Sequence, residues 1–330
     1  MIRIAMLSGW HVHAEGYARE ANRLGNAQVT CVWDEDPERG AKWARELGVD
    51  YESCLDRTLA REDVDAVIVC TPTSMHREVI VKAAQAGKHI FTEKVMALTT
   101  EDCLAIAAAV RQAGVKFAIS FPHRTMSHNL FAKKAVDEGW LGKVTLARVR
   151  NAHDGVASGW LPPHFFEQAT CGGGAMMDLG AHPMYLLAWL LGRPVSVSSL
   201  FTQTMSAYPG IEDNAVSLLE FEGGVIGVSE TGFVSKNSPF ELELYGTEGS
   251  LFVGGPEGIR LYRNDGAVSG FLHPDRLPEE LPQAMTQWAK AIEGQGEISF
   301  GLEEGILLTE IMEAAYRSQQ EKRRVELPAR

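Results

Sequence analysis

Residues 64–94 read VDAVIVCTPTSMHREVIVKAAQAGKHIFTEK. The run Val64–Cys70 has Asp65 as its one polar member, the composition of a strand whose two faces are both covered. Thr71-Pro72 ends it, a helix-compatible stretch follows at about 74–86, and Gly87 precedes a second short strand, KHIFT (88–92). A strand, a helix and a strand in 31 residues imply a parallel crossover.

The rhythm continues on both sides. IRIAML (2–7) and QVTCVW (28–33) precede the stretch and VKFAIS (115–120) follows it, with helical patterns at about 13–24, 37–47 and 99–113. In the last of these Cys103, Ile106, Ala107 and Val110 repeat at helical spacing, and Gly114 is a natural stop. Repeated alternation of this kind predicts a doubly wound parallel sheet, α/β in class, over residues 1–121.

Beyond residue 121 the pattern changes. A helical segment (124–138) ends at Gly139, and KVTLARVRN reads as an alternating strand. CGGG (171–174) leads into a helix at about 175–191, and strand-like segments then fill 195–262, separated by turns at Gly223-Gly224 and Gly246–Gly249. Helices at about 282–293 and 302–318 follow. Residues 122–330 are therefore expected to form an α+β domain with a large, open, mainly antiparallel sheet.

The 330 residues carry 31 Lys+Arg against 43 Asp+Glu, a net charge of −12, which argues against a surface that tracks nucleic-acid phosphates. Hydrophobic residues at 45% and charged residues at 22% suit a globular chain. Five widely spaced cysteines without a CxxC pair suit reduced thiols. MIRIAMLSGW enters a strand directly, and MYLLAWLLG is too short to span a bilayer. A soluble cytoplasmic protein without a membrane partner is the expectation.

Chemistry is expected at the carboxyl ends of the parallel strands, where open α/β sheets bind ligands. The first strand ends at Ser8-Gly9-Trp10-His11-Val12, a phosphate-binding turn with most of the G-x-G-x-x-G fingerprint missing. The second ends at Trp33-Asp34, and an acidic residue there hydrogen-bonds the adenosine ribose and disfavours a 2′-phosphate. The alternative for Asp34 is a helix cap, since Asp34 and Asp36 both precede Pro37. Glu93-Lys94 follows the strand 88–92, and GGGAMMDLGAHPMYLL sets Asp178 and His182 four apart, on one face if the helix is regular.

With these motifs in hand the chain resembles the glucose–fructose oxidoreductase / inositol dehydrogenase (Gfo/Idh/MocA) family. The resemblance runs through WDEDPERGAKWARELGV, TPTSMHREVIVKAAQAGKHIFTEK, GWLGKV, GGGAMMDLGAHPMYLLAWLLG, ELYGTEGSL and EAAYRSQQEKRRVELP. It implies a Rossmann domain followed by an open-sheet domain, NAD or NADP as cofactor, sugars or polyols as substrates, and homodimers or homotetramers formed through the open sheet. Asp34 makes NAD the expected choice. Lys94 matches the lysine of the family's EKP motif, Asp178 and His182 match D-x-G-x-H, and Thr71, Pro72 and His76 match the T-P-x-x-x-H stretch beside the cofactor. The chain departs from the family in its shortened glycine turn, in Val95 for the usual proline, and in Tyr185 where many members have aspartate.

The implied site follows. Gly9, Trp10, His11, Val12, Asp34, Thr71, Pro72, His76, Glu93 and Lys94 are expected to hold NAD. Moving a hydride off a carbinol carbon also moves a proton off its oxygen, and a histidine, with an ordinary pKa of about 6.5, suits that step. His182 is thus the expected general base, Asp178 its positioning partner, and Lys94 a hydrogen-bond donor to the developing alkoxide. His123, Arg124, Trp160 and His164 join Asp178 and His182 as substrate-binding candidates. Each has a plainer reading, from a solvated lysine to a helix-stabilising Asp–His pair or a rim tryptophan.

Three rivals stand beside the dehydrogenase. A metal-dependent hydrolase would use His11-x-His13 with Asp178 or His182, but the antiparallel region contradicts the barrel such a reading wants, and no metal is expected. A dinucleotide-binding sensor is favoured by the missing glycines and opposed by the presence of Lys94, Asp178 and His182 together. An enzyme with tightly held NAD could carry out epimerisation or glycoside cleavage without net redox change.

Overall fold

The structure, a computed structural model, describes residues 1–205, 210–238, 240–263 and 271–328. It divides into two compact units, one of residues 1–120 and 282–309, the other of 121–281 and 310–330. The chain passes from one unit to the other at Ser120–Phe121, and residues 282–309 lie with the first unit.

In the first unit β1 (Ile2–Leu7) pairs with β2 (Ala27–Trp33) on one side and β4 (Ala66–Val69) on the other; β3 (Asp50–Tyr51) extends the first side, β5 (His89–Thr92) and β6 (Phe117–Ile119) the second. All of these pairs are parallel, and the strand order 3-2-1-4-5-6 reverses direction between β1 and β4. Every residue of β4 is buried, as its apolar sequence requires. Arg3 and Asp65 tie the starts of β1 and β4 by a two-pronged ion pair, Nε to Oδ2 at 2.9 Å and the terminal nitrogen to Oδ1 at 2.6 Å.

Helices α1 (Ala14–Arg23), α2 (Pro37–Leu47), α3 (Leu55–Ala60), α4 (His76–Gln85) and α5 (Thr100–Ala113) connect the strands. α5 buries Cys103, Ile106, Ala107 and Val110, starts on a Thr99 side chain that accepts the Asp102 N–H, and stops at Gly114 with φ +67°. Such a cap contributes about 1 kcal/mol. Sequence reading passed over β3 and α3, which are two and six residues long.

Residues 282–309 return to this unit because β6 ends the sheet. Its outward Ile119 N–H would lack a partner there, and it donates to the Phe300 carbonyl. In α9 (Ala284–Ile292), the fully buried Trp288 packs 5.9 Å from the Phe91 ring and donates its indole N–H to the Lys116 carbonyl.

The second unit is built on a nine-stranded sheet of order 14-13-12-11-7-10-9-8-15. Its strands are β7 (Val144–Ala152), β8 (Pro194–Thr202), β9 (Asn214–Phe221), β10 (Ile226–Gly232), β11 (Glu241–Gly246), β12 (Gly249–Gly254), β13 (Arg260–Arg263), β14 (Phe271–Leu272) and β15 (Val325–Glu326). Among the described residues only β7 and β10 pair in parallel; β9–β10 and β11–β12 are the hairpins that the glycine turns predict. Along β9, Ala215, Ser217, Leu219 and Phe221 are buried while Val216 and Leu218 face solvent, the two-residue alternation of a sheet with one covered face. The covered face packs against α8 (Ala181–Leu191). None of the described helices is long and apolar enough to cross a membrane. All five cysteines are outside disulfides.

Candidate active site

Three turns of the first unit follow β1, β4 and β5 at one edge of its sheet. Ser8, the residue after β1, is buried and sits at φ +77°, a conformation that glycine adopts freely and other residues rarely do. Its hydroxyl accepts the Trp10 N–H at 3.0 Å, and the His11 N–H donates to the Cys70 carbonyl at 3.1 Å. These bonds close the β1 turn against the β4 turn without the missing glycines. α1 then begins with no side-chain cap, its Ala14 N–H donating to the His11 carbonyl at 3.0 Å. Val12 is largely exposed at the turn's tip.

In the β4 turn Thr71 is buried, and its hydroxyl has no hydrogen-bond partner among the described residues. An orphaned hydroxyl of this kind fits a polar ligand such as a dinucleotide. His76, four residues beyond Pro72, does something else. Its Nδ1 lies 3.1 and 3.2 Å from the Val95 and Met96 carbonyls and its Nε2 lies 3.2 Å from the Thr71 carbonyl. Burial pushes its pKa down, so the neutral ring joins the β4 and β5 turns by donating to one of them. With both ring nitrogens on backbone carbonyls, His76 ties the β4 turn to the β5 turn.

Asp34 is also turned inward. Oδ2 accepts the Gly9 N–H at 2.8 Å and Arg39 Nε at 2.9 Å; Oδ1 accepts the Asp36 N–H at 2.8 Å and an Arg39 terminal nitrogen at 2.5 Å. The helix-cap alternative belongs to Asp36, whose side chain accepts the Glu38 and Arg39 N–H groups. Asp34 thus anchors the phosphate-binding turn to β2, with Glu35 2.6 Å from the same guanidinium. Two carboxylates on one cation leave this corner negative.

The β5 turn holds Glu93 and Lys94, both buried, and the Lys94–Val95 peptide is cis. Glu93 Oε2 accepts the Lys94 N–H at 3.0 Å, and Oε1 takes bonds from His13 Nδ1 at 2.7 Å and from the Tyr17 hydroxyl. Burial opposes the Glu93 charge, but His11, His13 and Lys94 hold its carboxyl well below the usual range. Tyr17 is pushed well up by burial and by that same charge.

In the second unit the Gly173-Gly174 pair admits close neighbours. A Cβ at Gly173 would fall 1.8 Å from the Tyr316 hydroxyl, and one at Gly174 would fall 2.2 Å from the Glu212 carbonyl. Glu212 Oε1 accepts the Gly174 N–H at 2.8 Å, the Met176 N–H at 3.1 Å and the Tyr316 hydroxyl at 2.6 Å. Burial raises the Glu212 pKa against those bonds. Sequence reading missed Glu212 and Tyr316. The glycines signalled a close approach without saying by what.

Beyond this anchor the chain takes a π-helical turn, Met176–Gly180, before α8. Asp178 lies in that turn and His182 is the second residue of α8, so their spacing is not that of one regular helix. Such turns recur at functional sites. The group facing His182 Nδ1 is the Tyr185 hydroxyl, 2.8 Å away, which also accepts the His123 N–H at 3.2 Å. The His123 and His182 rings meet edge to face at 4.8 Å, and Tyr185 stacks on Phe121 at 4.3 Å. Arg124 lies 5.2 Å above the Trp189 ring. Trp160 and His164 belong to another cluster: Trp160 is half-exposed, 4.6 Å from the His153 ring, with its N–H on Asp154, and His164 packs beside Phe165.

Residues 7–121 match the family model "Oxidoreductase family, NAD-binding Rossmann fold", and residues 130–252 match "GFO/IDH/MocA C-terminal domain". The chain belongs to the Gfo/Idh/MocA family. Within it, the chain is 31% identical over 311 residues to 1,5-anhydro-D-fructose reductase of Ensifer adhaerens, covering 89% of this chain and 91% of that one. It is 31% identical over 268 residues to 2,7-anhydro-N-acetylneuraminate hydratase of Escherichia coli, covering 80% and 70%. The fold of this Gfo/Idh/MocA chain is also that of levoglucosan dehydrogenase, solved in complex with NADH and levoglucosan, with a TM-score of 0.86, 22% identity and coverage of 99% and 100%.

Proposed function

We propose that this protein is an NAD-dependent oxidoreductase that moves a hydride between nicotinamide and a CH–OH carbon of a sugar, an anhydro-sugar or a polyol. The observation that carries the proposal is the coincidence of the family match with three ordered turns at one sheet edge, where an orphaned Thr71 hydroxyl and an uncapped α1 suit a dinucleotide. Backbone around Gly9, Trp10, His11 and Val12 takes the place of the missing glycines. NAD is preferred over NADP because Asp34 and Glu35 outnumber Arg39 at the end of β2. Asp34 exerts that preference as a charge and as an anchor of Gly9, since its hydrogen-bonding capacity is taken up inside the protein.

The bound nicotinamide supplies the hydride acceptor or donor. Lys94 donates a hydrogen bond to the substrate oxygen and stabilises the alkoxide. His182 takes the hydroxyl proton at Nε2, with Nδ1 oriented by Tyr185, whose position is fixed by the His123 N–H and by Phe121. Asp178, His123 and Arg124 contact the substrate's other hydroxyls. Trp160, half-exposed, offers an aromatic face to the substrate, and His164 a further polar contact.

Leu200, Val216, Leu218 and Ile226 form an exposed apolar stripe across β8, β9 and β10. Burying it against a second copy gives the homodimer or homotetramer that we propose. Turnover of a polyol and anhydro-sugar panel with NAD⁺ or NADH, in wild type and in the Lys94→Ala and His182→Ala variants, tests the assignment. Wild-type turnover in both variants would overturn it. The hydratase relative favours a second reading, in which NAD stays bound and the net reaction is redox-neutral. The absorbance spectrum of the purified protein distinguishes the two, since that reading requires cofactor to copurify.

A further inference from the structure

We propose that His11, His13 and Glu93 form a binding site for a divalent cation of the zinc type. Candidate ligand atoms of the three residues lie within 4.8 Å of one another, all in the first unit. His11 Nδ1 is 3.8 Å and His13 Nδ1 2.7 Å from the same carboxylate oxygen, Glu93 Oε1. Ligand atoms held about 2.0–2.1 Å from one tetrahedral ion stand roughly 3.4 Å apart, so the two observed distances bracket the separation required. A small outward turn of His13, whose side chain is half-exposed, opens the site.

The donor set is two imidazoles and one carboxylate, a combination that suits zinc and leaves a fourth position for water or another oxygen donor. The supports outside the ligands are present too. Glu93 is oriented by the Lys94 N–H and by Tyr17, and Tyr17 is itself held by Ser120 at 2.8 Å. His11 Nδ1 accepts the His13 N–H at 3.2 Å, a long bond that gives way to the ion.

Charge makes the same case. Glu93 is buried with a carboxylate whose near neighbours include two imidazoles 4.8 Å apart, centroid to centroid. One divalent ion would serve both rings and the carboxylate. The ion would join the β1 turn to the β5 turn, holding by coordination the segment where the glycine fingerprint is missing. From the sequence, His11-x-His13 is matched with Asp178 or His182. The third ligand is Glu93, brought there by the parallel pairing of β4 with both β1 and β5.

The site stands independently of the proposed reaction, and its test needs no substrate. Tag-free, chelator-treated full-length protein is titrated with zinc by calorimetry, and with cobalt(II) by visible absorption. One equivalent is expected, with the d–d bands of a nitrogen- and oxygen-ligated tetrahedral cobalt. His13→Ala and Glu93→Gln are each expected to weaken binding by more than about 100-fold. His13 is half-exposed, so His13→Ala keeps the test open if Glu93→Gln fails to fold; far-UV circular dichroism checks both. No zinc binding by wild type, undiminished binding by folded His13→Ala, or a thiolate-to-cobalt charge-transfer band would each overturn the proposal.

Discussion

Replacing Asp34 by alanine tests whether this residue is the anchor of the phosphate-binding turn. The wild-type carboxylate takes four hydrogen bonds, from the Gly9 and Asp36 N–H groups and twice from Arg39. Its side chain is fully buried while the Arg39 side chain is 31% exposed. Removing one partner of a buried pair costs about 3–5 kcal/mol. Arg39 keeps Glu35 and some solvent, so the lower end, about 3 kcal/mol, applies here. At roughly 2–4 °C per kcal/mol, Asp34→Ala should lower Tm by about 6–12 °C. It also removes a negative charge and releases a guanidinium. A charge-assisted bond of about 1.5–3 kcal/mol to a 2′-phosphate would then raise NADPH affinity relative to NADH by roughly 10–150-fold. Scanning calorimetry and paired NADH and NADPH titrations read the two effects. A Tm within about 2 °C of wild type would refute the anchor, and an unchanged affinity ratio would refute the charge argument.

Other perturbations follow from the second unit and from the strand starts. His182→Ala should lower kcat by about 10²–10⁴-fold, and Tyr185→Phe, which loses the bond to Nδ1, by roughly 10-fold with a shifted pH–rate profile. An unshifted profile in Tyr185→Phe would remove Tyr185 from the orienting role. Gly173→Ala places a methyl 1.8 Å from the Tyr316 hydroxyl and should cost about 1–3 kcal/mol, read by thermal unfolding; a neutral substitution would contradict that packing. Arg3 holds Asp65 down to about 2, below its ordinary value. A depressed carboxylate stabilises above the unfolded pKa and loses that contribution as pH falls through the folded one. Because the pair is over a third exposed on the Arg3 side, the contribution is discounted to about 1 kcal/mol. Asp65→Asn should therefore be less stable than wild type at pH 6, with a deficit that shrinks as pH falls from about 4 through 2. A deficit unchanged at pH 2 would point to packing instead.

Much of the fold was legible because burial imposes a pattern on sequence. The all-apolar β4, the capped and glycine-stopped α5 and the alternating strands of the second unit each carry a period that a single chain displays. What escaped was decided by tertiary neighbours. β3 and α3 are too short to show a period, and the return of residues 282–309 depends on the unpaired edge of β6. The site follows the same rule. The turn that carries Glu93 and Lys94 was legible from its place after a parallel strand, as was the one that carries Asp178 from the run of glycines before it. The roles of Asp34 and His76 were not, because nothing local says that Arg39 closes on one and three carbonyls surround the other. Tyr185 read as a departure from the family pattern, and it is the residue that faces His182.

The most direct measurement is an equilibrium titration with NADH and NADPH, followed by energy transfer from Trp10 and Trp33, which flank the β1 and β2 turns. Saturable binding of NADH at one site per chain, tighter than NADPH, is expected. Absence of binding by protein shown to be free of copurified cofactor, or tighter binding of NADPH, would contradict the assignment of NAD to these turns.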